Sequence, residues 1–307
     1  MPRSVTRFTR FTRFIRAIVV LGFGALALGA PVAAQRPRGT LFIVGGGPQP
    51  DALVAEFVRT AGGSGRARIV VFAIASASGA TSGAEKAADL RALGARAVNL
   101  YITRAEADAD SIVHQLDSAT GVWFGGGDQV RLANVLRGSR TLAAIRARFA
   151  AGAVIGGTSA GAAVMSAVML TGDERHPGGA RPPSDSTENW LTIARDNTIT
   201  EDGFALVTNV IVDQHFLRRK RHNRLISLVL EREPHLGAGI DESTALIIEP
   251  SGSWRVAGAS VVTVYDARGA ARTRDAATPL GAADVRLHIL PAGSRFDPEA
   301  ARATLPD

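Results

Sequence analysis

The segment Ala153–Val164, AVIGGTSAGAAV, constrains this chain more than any other stretch. Ala153 to Ile155 is a short apolar run that reads as a buried strand. Gly157-Thr158-Ser159-Ala160-Gly161 follows, and small helix formers take over at once. A strand that turns into a helix through GxSxG lifts its serine out of the backbone toward solvent. The flanking positions must be small, because bulk there would strike the neighbouring strand or helix. The N–H of Ala160, at the helix N-terminus, then faces the place where an oxyanion would form. Gly, Ser and Ala are common residues, so the pattern alone leaves a merely tight turn open.

The rest of the chain supplies a setting for such an elbow. Thr40–Val44, Ile69–Ile74, Ala97–Ile102 and Val122–Phe124 read as strands. Between and after them the spacing predicts helices: one capped by Asp51 and stopped by Gly62-Gly63, then Ala84–Leu93, Glu106–Leu116, Gln129–Leu136 and Thr141–Ala150. Alternation of this kind predicts an α/β fold, a mostly parallel sheet with helices on both faces. Sites in such sheets lie outside the carboxyl ends of the strands. Further on, Val207–Val212 and Ala245–Ile248 read as strands and Leu225–Leu230 as a helix. Arg255–Tyr265 reads as a hairpin or edge strand, a small β extension toward the C-terminus. Gly172–Asn189 is rich in Pro, Gly, Ser, Asp and Arg without periodicity, and is expected to be a surface insertion or lid within one domain spanning 35–307.

Residues 1–34 stand apart. Arg3, Arg7, Arg10, Arg13 and Arg16 form a basic start, and Ala17 to Ala30 is an apolar run too short and Gly-rich for a membrane span. Val32 and Ala34 supply small residues at the −3 and −1 positions of a cleavage site. The expectation is a secretory signal peptide, hence export to the periplasm or beyond, with no stable membrane insertion once it is removed. Losing its five arginines and no acidic residue takes the formal net charge from +7 to +2. The basic balance is therefore weak grounds for a nucleic-acid partner. With no cysteine, disulfides and thiolate metal sites are excluded, so stability must come from the core.

A serine nucleophile needs a base, and the base an orienting carboxylate. Of the histidines, His114 lies on an exposed-looking helix face, His176 in the polar insertion, His235 in a loop and His288 in the late β region. His215 differs, because Asp213-Gln214-His215-Phe216 ends the strand Val207–Val212 at the same sheet edge as Ser159. Asp241 and Glu242 precede a later strand, and either could orient the imidazole. The basic run Arg218–Arg224 begins three residues after His215, so some of its guanidiniums should line the same cleft. There they would grip carboxylates through paired hydrogen bonds. Gly45–Gly47 invites a phosphate-loop reading but matches neither a dinucleotide nor a P-loop pattern.

Four motifs then carry a resemblance: FGGGDQ (Phe124–Gln129), GGTSAGAAVMS (Gly156–Ser166), DQHF with R-x-R-x-x-RL (Asp213–Leu225), and GIDESTAL (Gly239–Leu246). Across about Thr40 to Asp266 the chain resembles the cyanophycinase family of serine peptidases. These are relatives of aspartyl dipeptidase within the class I glutamine-amidotransferase-like, flavodoxin-like fold. The resemblance implies Ser159 as nucleophile, His215 as base and Glu242 as third member, with the N–H groups of Gly127 and Ala160 as oxyanion hole. It further implies a substrate pocket of Gln129, Asp213, Gln214, Arg219, Arg221 and Arg224, with Asp213 able to hold a substrate guanidinium. Neither metal nor cofactor is implied, and a homodimer is. The implied reaction cleaves β-aspartyl links in cyanophycin, a poly-aspartate backbone bearing arginine side groups, and releases β-Asp-Arg. Two other readings fit the residues: a peptidase for short isoaspartyl or α-aspartyl peptides, and a non-catalytic binder on the same fold.

Overall fold

The computed structural model describes residues 1, 37–175 and 190–307. The expected leader therefore lies outside the described residues, as do His176 and most of the expected insertion. In chain order the first half runs β1 Thr40–Val44, α1 Asp51–Thr60, β2 Arg68–Phe72, α2 Gly79–Ala92, β3 Arg96–Asn99, α3 Asp110–Val113, β4 Gly121–Phe124, α4 Gln129–Leu136, α5 Arg140–Ala150, β5 Val154–Thr158, α6 Ala160–Ala163 and β6 Val168–Glu174. There follow β7 Thr198–Asp202, β8 Ile211–Asp213, α7 His222–Glu231, β9 Leu236–Ile240, β10 Thr244–Ile248, β11 Trp254–Gly258 and β12 Val261–Asp266. The chain closes with β13 Ala271–Arg272, β14 Ala282–Ala283, β15 Arg286–Pro291, β16 Arg295–Asp297 and β17 Arg302–Thr304.

The α/β class expected from the alternation is the one found. Strands β1, β5, β4, β2 and β3 pair in parallel in that order. Period-two alternation sends their side chains to opposite faces. Leu41, Ile43, Val70, Phe72, Val122 and Phe124 face one core, while Phe42, Val44, Ile69, Val71 and Trp123 face the other. Helices α4, α5 and α6 cover the first face, and α1 and α2 the second. Phe57 of α1 locks the second layer, edge-on to Phe42 and Trp123 with ring centroids 5.6 Å and 4.9 Å away.

The C-terminal β extension is built into the main sheet. Antiparallel strands β10, β11, β16 and β17 continue it beyond β1, giving nine strands among the described residues. A second sheet, β15-β12-β9-β8, packs its Val212, Ala238, Ile240, Val262 and Val264 into the first core. Helix α7 covers the other side of that second sheet through Leu225, Leu228 and Val229.

Several expectations need correction. Arg255–Tyr265 is neither hairpin nor edge strand: β11 and β12 lie in different sheets, each between two partners, so the chain turns a corner between layers. Gly237–Ile240, given no strand in the sequence reading, lies in the buried strand β9, and its glycine content has a packing cause: a Cβ at Gly239 would fall on the Phe216 ring. Asp51 is the first helical residue rather than the cap. The continuous helix expected over Glu106–Leu116 is broken at Ala109, whose backbone is extended, and Asp108 instead accepts the Arg140 N–H at 2.7 Å. Val207–Val212 is strand only at its end, Val207 making a single bridge to Ser166. Gly172–Glu174 belongs to β6, which pairs with β7.

Candidate active site

Ser159 sits at φ 54°, ψ −113°, a left-handed conformation uncommon for a residue with a side chain. Its own N–H donates to Val44 O at 3.0 Å, tying the elbow to the end of β1. The small flanks are required by contact: a Cβ at Gly161 would strike the Phe124 carbonyl. Ala160 opens α6, where first-turn N–H groups have no intrahelical acceptor. Gly127, at φ 134°, ends the glycine run after β4 beside it.

The base and carboxylate come from the second sheet. His215 follows β8 and Glu242 follows β9, so both reach the edge where β5 delivers Ser159. Ser159 Oγ lies 2.8 Å from His215 Nε2, and His215 Nδ1 lies 2.6 Å from Glu242 Oε1. Asp241, the alternative orienting carboxylate, is engaged elsewhere, accepting from the Leu217 and Arg218 N–H groups and the Ser260 hydroxyl. Burial holds the His215 imidazole below the ordinary histidine value. The Arg219 and Arg221 charges push the same way, and Glu242 opposes them. At neutral pH the ring is thus an uncharged base, and its carboxylate partner fixes which nitrogen carries the proton.

Gly45–Gly47, set aside in the sequence, is what seats these two side chains. A Cβ at Gly46 would fall on the His215 ring, and one at Gly47 on Glu242. Gly45 O accepts the His215 N–H at 2.6 Å, and Gly46 O accepts the Ser243 N–H at 2.8 Å. The signal was available in the glycines' position at the end of β1, but not which side chains would lie against them.

A cavity of about 610 Å³ opens beside Ser159, lined by Gly127, Gln129, Gln214, Arg219 and Arg221, and also by Asp128, Thr171 and Asp173. Gln129 is fixed across it, its amide donating to Leu170 O at 3.0 Å and to Thr171 O. Arg221 donates to both the main-chain and side-chain oxygens of Gln214 at 2.8 Å.

Asp213 and Arg224 are a correction. They do not line this cavity; each is 1% exposed, and they form a two-pronged ion pair through Arg224 Nε and Nη2. Trp190 stacks on that guanidinium, 4.9 Å from the ring centroid. With its oxygens taken by Arg224 and the Gln214 N–H, Asp213 cannot also grip a substrate guanidinium. Sequence offsets placed both residues near the base but did not say which way they point. Asp173 was missed because the insertion's composition hid the end of β6, and Thr171 stands just before it in the same strand. The other histidines lie apart: His222 bonds Tyr265, His235 approaches Glu233, and His114 pairs with Asp117 on the surface.

A serine hydrogen-bonded to a buried neutral imidazole, itself held by a carboxylate at the carboxyl edge of a parallel sheet, defines a hydrolase acting through a nucleophilic serine. The family model of Peptidase family S51 matches residues 41–253, and the chain belongs to that family of serine-type peptidases. It is 34% identical over 267 residues to a cyanophycinase of Nostoc sp., covering 84% of this chain and 85% of that one. A cyanophycinase of Geminocystis herdmanii is 30% identical, over 86% of this chain and 95% of its own. Among solved structures, a peptidase from an acI-B1 actinobacterium shares the fold at TM-score 0.60 and 20% identity, over 85% of this chain and 98% of that one.

Proposed function

We propose that this protein releases β-Asp-Arg from cyanophycin by cleaving the aspartyl peptide bonds of its backbone, since cutting the β-link itself would free arginine instead. Ser159 attacks the scissile carbonyl while His215 takes its proton, and Glu242 holds the imidazole in the tautomer that can accept it. The N–H groups of Gly127 and Ala160 bind the developing oxyanion. His215 then returns the proton to the leaving amine, and water releases the acyl group by the same route. Arg219, with Arg221, Gln214 and Gln129, captures substrate carboxylate and amide groups, and the Asp213–Arg224 pair stiffens the segment behind them.

The observation that carries the mechanism is the hydrogen-bonded chain Ser159–His215–Glu242 opening into a cleft walled by arginine. The cyanophycinase relatives, covered over most of their length, support the substrate. Purified wild-type protein should release β-Asp-Arg from cyanophycin, identified by mass, and Ser159→Ala should not. Cleavage confined to a short β-linked peptide would move the substrate to isoaspartyl peptides, and release by Ser159→Ala would overturn the mechanism. The protein is also proposed to be exported, to lose residues 1–34, and to form a homodimer. N-terminal sequencing of the secreted form should then begin at Gln35, and its mass in solution should be twice that of the mature chain.

A further inference from the structure

A second cavity, about 220 Å³, lies at the same sheet edge but on the other face, between α2 and the ends of β2, β4 and β5. Its walls include Gln49, Lys86, Trp123, Gly126 and Thr158. Lys86 Nζ sits 5.1 Å from the centroid of the Trp123 ring, and among the described residues no carboxylate lines the cavity. Gln49 Oε1 is buried and accepts no hydrogen bond from the described residues. A half-buried ammonium and an unmet buried carbonyl oxygen share one small hollow, and nothing in the peptidase mechanism uses either. Burial lowers the Lys86 pKa from its ordinary value, with Asp89 on the same helix opposing, so an anion in the cavity would restore the charge's lost solvation.

We propose that this cavity is a second binding site, for an amino-acid-sized ligand whose carboxylate pairs with Lys86 and whose N–H group donates to Gln49 Oε1. One cation matches a single carboxylate, whereas a phosphate dianion would lack its second counter-charge. The volume of about 220 Å³ suits one amino acid. The back wall is the reverse of the active-site loop: a Cβ at Gly126 would lie 3.4 Å from Ser159 Cβ, so a bound ligand braces the loop that carries Gly127. The site is independent of what the catalytic cleft cleaves.

Calorimetric titration of the full protein with L-aspartate at low ionic strength tests it. Lys86→Gln should weaken binding at least tenfold, while Arg219→Ala, which alters only the catalytic cleft, should leave the Lys86-dependent binding in place. Succinate, which has no amine, should bind several-fold more weakly than aspartate. Ser82→Leu, which fills the cavity from α2 one turn before Lys86 and keeps the lysine, should abolish binding even if Lys86→Gln perturbs folding. Superimposable wild-type and Lys86→Gln isotherms, loss of binding only in Arg219→Ala, no binding at millimolar aspartate, or tighter binding of inorganic phosphate would each overturn the proposal.

Discussion

At the scale of single residues, the proposed chemistry rests on three side chains and the charges around them. Glu242→Gln keeps the shape but removes the carboxylate that fixes the imidazole tautomer, and kcat should fall roughly 10³- to 10⁴-fold, as in other serine triads. The acid limb of kcat/KM should lie below the ordinary histidine value of about 6.5, because burial opposes the charged ring. Arg219→Ala removes a repelling charge and should shift that limb upward, whereas Glu242→Gln should shift it downward; stopped assays from pH 4.5 to 8 read both. The sign for stability follows the same shift. A depressed folded-state value means His215 contributes fully above about 6.5, and the contribution is lost as pH falls through the folded value. Ser159 and His215 were legible in sequence because a strand precedes each. Asp241 and Glu242 were not separable there, since adjacent residues differ in direction and only the fold decides which one meets the ring.

At the scale of elements, the site depends on segments whose sequences look unremarkable. Gly46→Ala should cut activity as deeply as loss of a catalytic group, because its Cβ would displace the His215 ring and its φ of 111° disfavours a side chain. Circular dichroism would separate this local effect from unfolding. Asp213→Ala would leave the buried Arg224 guanidinium without its carboxylate. The expected cost is about 3–5 kcal/mol of stability in urea unfolding, beyond any effect on KM. An effect on KM alone, with stability unchanged, would return Asp213 to the substrate-contact role expected from sequence. The helices Gln129–Leu136 and Thr141–Ala150 were legible within a residue because periodicity and caps agree: Asp128 and Ser139 each accept N–H groups of the first turn. Strand β9 was not, because its glycines serve close packing under Phe216 rather than turning.

At the scale of the whole molecule, two sheets must meet for the site to exist. The first supplies Ser159 and the glycine loops, the second His215 and Glu242, and their shared core runs from Phe124 through Val212 to Ile240. The parallel half was legible as alternation. The corner between β11 and β12 was not, since a change of sheet leaves no mark on a pattern of alternating residues. Trp254 is 1% exposed in the antiparallel wing, its ring 5.2 Å from that of Phe296. Trp254→Ala should cost about 3–5 kcal/mol in urea unfolding while leaving kcat near wild type at temperatures where the protein stays folded. Whether these two sheets assemble one reactive serine is read by intact mass after treatment with a fluorophosphonate. One adduct on the peptide containing Ser159, absent from His215→Ala, is predicted. No adduct on the folded wild type, or an adduct on a different serine, would contradict it.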